Sequence, residues 1–136
     1  TTAIDVPGQP ISAQRLESGN LLVALQDAQR VVEVNPRGRV LSEIQTGSPP
    51  VHAVRLENGH TLITLPQARK VVEYDISGKS IVWTTTVPLI NAFAAQRLAS
   101  GNTLVADHTG IQEIDATGQR VVWRFRLPQA IGLSSF

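Results

Sequence analysis

Three sets of side chains in this sequence have types and spacings that could do chemistry. The first is histidine, at His52, His60 and His108. His108 directly follows Asp107, and a carboxylate beside an imidazole is one way to orient a general base; the alternative is an exposed or loop-packing residue. The second set is Arg15, Arg55 and Arg97, spaced by 40 and 42 residues. A ring of guanidinium groups can grip an anion through paired N–H donors. Such regular recurrence points instead to a structural role, because a ligand seldom matches the symmetry of a repeat. Each arginine would then bond backbone carbonyls or a neighbouring unit's turn, at Asn35, Asp75 or Asp115. The third set is Glu33, Glu73 and Glu113, spaced by 40 and 40. Carboxylates that face one another do acid–base work. Carboxylates in register in successive units are held a unit's width apart, and an ion pair with an adjacent Arg or Lys is the plainer role.

These spacings come from a unit written three times. It runs RLESGNLLVALQDAQRVVEVNPRGRVLSEI from Arg15, RLENGHTLITLPQARKVVEYDISGKSIVW from Arg55 and RLASGNTLVADHTGIQEIDATGQRVVWRF from Arg97. Gly19, Gly59 and Gly101 lie 40 and 42 residues apart, and Gly38, Gly78 and Gly118 lie 40 and 40 apart. The difference falls in connections: the stretch from Pro88 to Phe93 is longer than its counterparts, and that from Asp107 to Gly110 is shorter. Length changes confined to such places mark loops. A period near 40 with strand-like content indicates propeller blades rather than helical arrays.

Each unit reads as four short strands. The first is Ser12 to Leu16, His52 to Leu56 and Ala94 to Leu98. The second is Leu21 to Leu25, Thr61 to Leu65 and Thr103 to Ala106. The third is Val31 to Val34, Val71 to Tyr74 and Ile111 to Ile114. The fourth is Val40 to Gln45, Ser80 to Thr86 and Arg120 to Leu127. Ser-Gly or Asn-Gly joins the first two strands, because glycine takes positive φ without a Cβ penalty. Asn or Asp at the start and Gly at the end suits a type I turn between the last two. No window shows a sustained helical period. Most prolines lie between units, where they keep the links out of the sheets. Paired valines in the third strand suit burial on both faces. Trp83 and Trp123 hold matched places in the fourth strand, for packing between blades or, alternatively, as a stacking platform.

Bulk properties narrow the function. The chain has 136 residues, 42% of them hydrophobic, and a net charge of +1. That is enough for one domain with a core and gives no electrostatic footprint for nucleic acid. No run approaches the ~18 apolar residues of a membrane span, and none reads as a signal peptide. Cysteine is absent, which excludes disulfides, thiolate metal sites and a cysteine nucleophile. Three scattered histidines do not make a metal site, which needs three or four converging ligands. There is no phosphate loop, no G-x-S-x-G elbow and no H-E-x-x-H helix. Methionine is also absent, so a processed form or an excised piece is expected.

The pattern RL-x-x-GNTL-[IV]-A…VVE-[VY]-D-x-x-G-[KQ]-x-VVW resembles the repeats of bacterial quinoprotein-like (PQQ-like) β-propellers and of arylsulfotransferase-type propellers. The resemblance spans nearly the whole chain and rests on turn and core positions. It implies blade architecture and an extracytoplasmic, periplasmic or secreted location. It does not carry the cofactor: Asp75-x-x-Gly78-x-x-x-x-Trp83 and Asp115-x-x-Gly118-x-x-x-x-Trp123 depart from the tryptophan-docking spacing of quinoprotein dehydrogenases. Sulfotransferase chemistry would need a histidine nucleophile with basic support, and only His108 is a candidate.

The expected fold is all-β, with three four-stranded antiparallel propeller blades at residues 11–48, 49–88 and 89–128. Residues 1–10 read as the outer strand of a preceding blade, and 129–136 as the first strand of a further one. Propellers typically close with four to eight blades, so either two chains form a six-bladed ring or the missing blades belong to a longer chain. The expected function is non-enzymatic, with no catalytic residue, no cofactor and no metal. The module acts as a scaffold or binding surface that completes its ring by self-association. The alternative is a fragment of a quinoprotein-like or arylsulfotransferase-like enzyme whose active residues lie on absent blades. The links between units and the loops between second and third strands fall on one face, the top; the glycine turns fall on the bottom. Ligand-binding positions are expected in the top loops at Asp27, Arg30, Arg69, Lys70, Asp107 and His108. Arg15, Arg55 and Arg97 are expected to be structural.

Overall fold

Glycine turns that reverse the chain every few residues leave it only one economical pairing, each strand with the next. In the computed structural model, which describes residue 6 and residues 8–126, that pairing produces three antiparallel meanders. The first sheet holds β1 (Pro10–Arg15), β2 (Leu21–Leu25), β3 (Arg30–Val34) and β4 (Val40–Gln45). The second holds β5 (His52–Arg55), β6 (Thr61–Leu65), β7 (Lys70–Tyr74) and β8 (Ile81–Thr84). The third holds β9 (Ala94–Arg97), β10 (Thr103–Asp107), β11 (Gly110–Ile114) and β12 (Val121–Arg126). No helix is present among the described residues, so none there is long and apolar enough to cross a membrane.

Strand ends differ from the expected ones by a residue or two. Pro10, expected in a link, opens β1, a position that asks nothing of its missing N–H. Asp107, expected in a loop, ends β10 opposite Gly110. A register shift recurs between the third and fourth strands of every sheet, at Glu33/Val34, Glu73/Tyr74 and Glu113/Ile114. A bulge of this kind bends and twists the outer strand. The expected outer strand over residues 1–10 and the expected further strand over 129–136 lie largely or wholly outside the described residues.

The core sits between sheets. Leu22, Ala24, Val31 and Ile44 of the first sheet meet Ala53, Ile63, Leu65, Val72 and Tyr74 of the second. On the other side of the second sheet, Leu62 and Val71 meet Ala95, Val105 and Ile114 of the third, joined by Leu89 and Ala92 from the long link. Neighbours in sequence therefore serve different interfaces: Leu62 faces the third sheet and Ile63 the first. The paired valines of β3 and β7 are fully buried for this reason. Val23, Leu25, Val32 and Val34, on the far face of the first sheet, form a third cluster with Val6 and Ala28 against it.

Polar bonds tie successive sheets together. The backbone N–H of Arg55 donates to Gln14 Oε1 at 2.7 Å, and Tyr74 Oη donates to the Gln45 carbonyl at 3.3 Å. Trp83 Nε1 donates to the Ala116 carbonyl at 2.9 Å, so this indole packs between sheets. Gly118 carries two constraints at that contact. Its φ is +79°, and a Cβ there would lie 2.5 Å from the Thr84 carbonyl oxygen and 3.2 Å from the Trp83 ring.

Gly118→Ala is expected to destabilise the fold by about 3 kcal/mol or more, because positive φ and a backbone clash add. Gly19→Ala meets only the φ penalty, since nothing lies within 4 Å of its added Cβ, and is expected to cost about 1–2 kcal/mol. Urea unfolding of the two variants checks this. Equal losses would remove the close approach of turn and indole as the reason for glycine at 118.

Candidate functional site

The repeated arginines and glutamates turn out to be partners across sheets. Arg55, at the end of β5, reaches back to Glu33 of β3, with Nη1 to Oε1 at 3.2 Å. Arg97, at the end of β9, reaches back to Glu73 of β7, with Nη2 to Oε1 at 2.9 Å. Within its own sheet each arginine is aimed by a threonine: Arg55 Nε donates to Thr61 Oγ1 at 3.1 Å, and Arg97 Nε donates to Thr103 Oγ1 at 3.0 Å. Arg97 also lies over the Trp83 ring, 4.7 Å from its centroid, a favourable placement of a cation on the negative face of an aromatic ring. The structural role expected for Arg55 and Arg97 thus acquires a partner other than the one anticipated. It is a glutamate of the preceding sheet, not Asn35, Asp75 or Asp115.

Those three residues organise their own turns instead. Asn35 Oδ1 accepts from the N–H groups of Arg37 and Arg39, Asp75 Oδ1 from that of Gly78, and Asp115 Oδ1 from that of Gln119. Hydrogen bonds from Ser77 and Thr117 lead the effects that hold the Asp75 and Asp115 carboxyls below the usual carboxylate range.

Each glutamate is held from its own sheet by the residue after the first glycine. Asn20 Nδ2 donates to Glu33 at 2.9 Å and Asn102 Nδ2 donates to Glu113 at 2.8 Å. In the second sheet His60 replaces asparagine, and its Nδ1 lies 2.6 Å from Glu73 Oε2. A carboxylate only accepts, so the nitrogen facing it is the protonated one. Glu73 is buried. Burial alone would raise its titration point, but the hydrogen bonds from His60 and Arg97 outweigh it, and the carboxyl titrates below its ordinary value. This is a satisfied carboxylate between two donors, suited to holding sheets rather than to moving protons.

The top-loop positions separate by exposure. Asp27 is exposed and accepts the Gln9 N–H at 2.7 Å, fixing the incoming chain to the loop. Arg30 is half-buried and pairs with Glu43 at 2.8 Å. Arg69 is exposed at φ +57°, with its N–H donating to the Pro66 carbonyl. Lys70 opens β7 opposite Leu65 and is half-buried. His108 is exposed, and its backbone N–H donates to the Ile90 carbonyl at 2.8 Å. Asp107 is buried, at the register place held by Leu65 in the second sheet. Its oxygens accept from Thr109 N and Oγ1, Gln112 Nε2 and Ile90 N. Burial opposes its ionisation, and these bonds, led by those from Thr109, more than offset it. The structure does not gather the six positions into one cluster; they follow the top edges of three sheets.

Two further features carried no signal in the sequence. A cavity of about 690 Å³ lies between β5 and β9, lined by His52, Val54, Arg55, Gln96 and Arg97 among others. His52 Nδ1 is buried there without a hydrogen-bond partner among the described residues. Burial lowers the titration point of this imidazole and favours its neutral form. Among the described residues no three His, Asp or Glu side chains stand together as a metal site.

Neither a family model nor any curated protein matches the chain. Solved structures do. The chain is similar to a protein of unknown function from Bacteroides caccae, at TM-score 0.75 and 23% identity over 89% of this chain and 50% of that one. It is similar to streptogramin B lyase, at TM-score 0.71 and 16% identity over 92% of this chain and 43% of that one. It is similar to the WD40 β-propeller domain of Doa1, at TM-score 0.75 and 12% identity over 90% of this chain and 42% of that one. The three sheets are β-propeller blades. The chain spans half or less of the length of each of these structures. At such identities the likeness shows the fold alone, and the set includes both a lyase and a WD40 domain.

Because the Glu73 carboxyl is depressed in the fold, the stability it supplies is fully present above its unfolded value of 4.5 and is lost as pH falls through the folded value. Glu73→Gln is expected to cost about 2–3 kcal/mol at pH 7, below the full cost of breaking a buried pair because Arg97 and His60 keep some contact with water. In urea unfolding at a series of pH values, the gap between wild type and variant should shrink below pH 4.5. A gap that stays constant to pH 3 would show that the carboxylate contributes nothing through its charge.

Proposed function

We propose that this chain is a non-enzymatic propeller module, a scaffold whose ring is completed by a second copy and whose top loops form a binding surface. The observation that carries the self-association is the state of the third sheet's free face. Ile111, Trp123 and Phe125 are 39–50% exposed there. Their counterparts on the second sheet, Val71, Trp83 and Thr85, are covered by the third sheet and its link. A blade in this fold is apolar on both sides, and an uncovered apolar face of this kind favours association. Three blades fall short of the four to eight of a closed propeller, and two copies related by a two-fold axis make six.

The top loops support the binding role because they are where the repeat departs from itself. Asp27, Arg69 and His108 are exposed; Asp27 and Arg69 stand where the matched loop has Gln67 and Gln29, and His108 lies in the shortened loop of the third blade. Arg30, Lys70 and Asp107 lie beneath or beside them. The repeat's resemblance to quinoprotein-like propellers is consistent with this module, since the shared residues are turn and core positions.

Light scattering after size exclusion, across a wide concentration range, should give a species of twice the single-chain mass. Ile111→Asp, which places a charge on the free face, should return it to one chain. A strict monomer at every concentration removes self-association from the proposal.

A further inference from the structure

The free face of the third blade carries a vacant copy of a site that is filled one blade earlier. A cavity of about 420 Å³ is lined by Leu98, Leu104, Glu113, Val122 and Trp123. The matched positions of the second blade are Leu56, Leu62, Glu73, Val82 and Trp83. Arg97 enters there, with Nη2 2.9 Å from Glu73 and its guanidinium 4.7 Å from the indole centroid. Glu113 is prepared in the same way. Asn102 holds its Oε2 as His60 holds that of Glu73, and its Oε1 takes no hydrogen bond from any described residue. Trp123 is half exposed beside it.

The other end of the array supplies the missing cation. Arg15 occupies in β1 the place of Arg55 in β5 and Arg97 in β9. Those two are half-buried and ion-paired; Arg15 is exposed and makes one long bond, Nη1 to the Gly19 carbonyl at 3.4 Å. Its Nε has no threonine to aim it, since Leu21 stands where Thr61 and Thr103 do. Ile11 and Ala13, on the same face of β1, are exposed as well. In the two interfaces within the chain, the first strand of the following blade packs on the first and second strands of the preceding one. The corresponding strip of the third blade, Ala94, Gln96, Leu104, Ala106 and Ile111, lines an open cavity of about 290 Å³ together with His52 of the second blade.

We infer that the Glu113–Trp123 cavity is an arginine socket and that its occupant is Arg15 of a second copy, with β1 of that copy laid along β9 and β10. The inference rests on the self-association proposed above and specifies its register. Each copy offers one socket and one arginine, so a two-fold pair fills both and leaves neither charge unmatched. A cation between a prepared carboxylate and an indole face gives direction as well as attraction: β1 docks on the third blade, and two third blades, each bearing Glu113, do not dock on each other.

The chain has no cysteine of its own, so placement can be read by cross-linking. R15C and E113C variants, mixed, equilibrated and treated with a short bis-maleimide, should give a covalent two-chain product. Neither variant alone should do so. R15E should weaken association by about tenfold or more, E113R added to it should restore it, and R37E, a matched charge change in an exposed turn, should leave it unchanged. A two-chain species with no 15–113 cross-link and no response to R15E overturns the socket while self-association stands. A product from E113C alone overturns it in favour of third blades face to face. A single-chain species at every concentration overturns the socket and self-association together.

Discussion

Each sheet in this protein carries apolar side chains on both faces, and most of the structure follows from that constraint. A sheet with one apolar face can lie on a core and show its other side to water. A sheet with two must be sandwiched. Alternation along β6 makes the point: Leu62 is buried toward the third sheet, Ile63 toward the first, and neither interface alone covers the strand. Stacking then continues until something other than a blade covers the last face, and stability in such arrays is approximately a sum of unit and interface terms.

Apolar contact alone does not fix how one blade sits on the next, because it is non-directional. Polar groups at the rim supply the register. The guanidinium of Arg97 is aimed by Thr103 in its own sheet and received by Glu73 and Trp83 in the preceding one. At the outer edge the Trp83 indole reaches forward to the Ala116 carbonyl, over a glycine that leaves room for it. One bond runs backward near the first strand and one runs forward near the last. Two such bonds meeting at Trp83, one running each way across the interface, oppose sliding of one blade on the next.

This division explains what could be read in the sequence. The turns were legible because Gly78 and Gly118 meet requirements of φ that are local, and the strands followed from the turns. The partner of Arg55 and Arg97 was not legible, because it depends on how far successive sheets are rotated, which no local pattern encodes. The spacing did contain a clue. The arginines and glutamates repeat together, and carboxylates held a blade apart from one another are each free to take a cation from the next blade. Asp107 was misplaced into a loop for a different reason. As a charged residue after Ala106 it reads as the start of a loop, yet at the place of Leu65 it is buried with Gln112 as a hydrogen-bonded pair facing the second blade, and satisfaction of that kind cannot be inferred from residue type.

The three blades are not interchangeable, and their differences have a direction. The first has Leu21 in place of the threonine that aims the arginine, and Ser42 opposite Glu33 where the later blades set tryptophan opposite Glu73 and Glu113. The second replaces asparagine by His60 beside Glu73. The third brings a polar pair into the interface it shares with the second. Positions that keep the repeat hold the blades together, and departures from it set the first and third blades apart from the second. A repeat whose copies were identical would present the same interface at every step, and the rotation between blades would decide whether it closes into a ring. Here the first blade presents an arginine that its own sheet does not aim, and the last presents a carboxylate and indole already arranged. That asymmetry gives the described arc two unlike ends, an exposed guanidinium on the first blade and a carboxylate beside a half-exposed indole on the third.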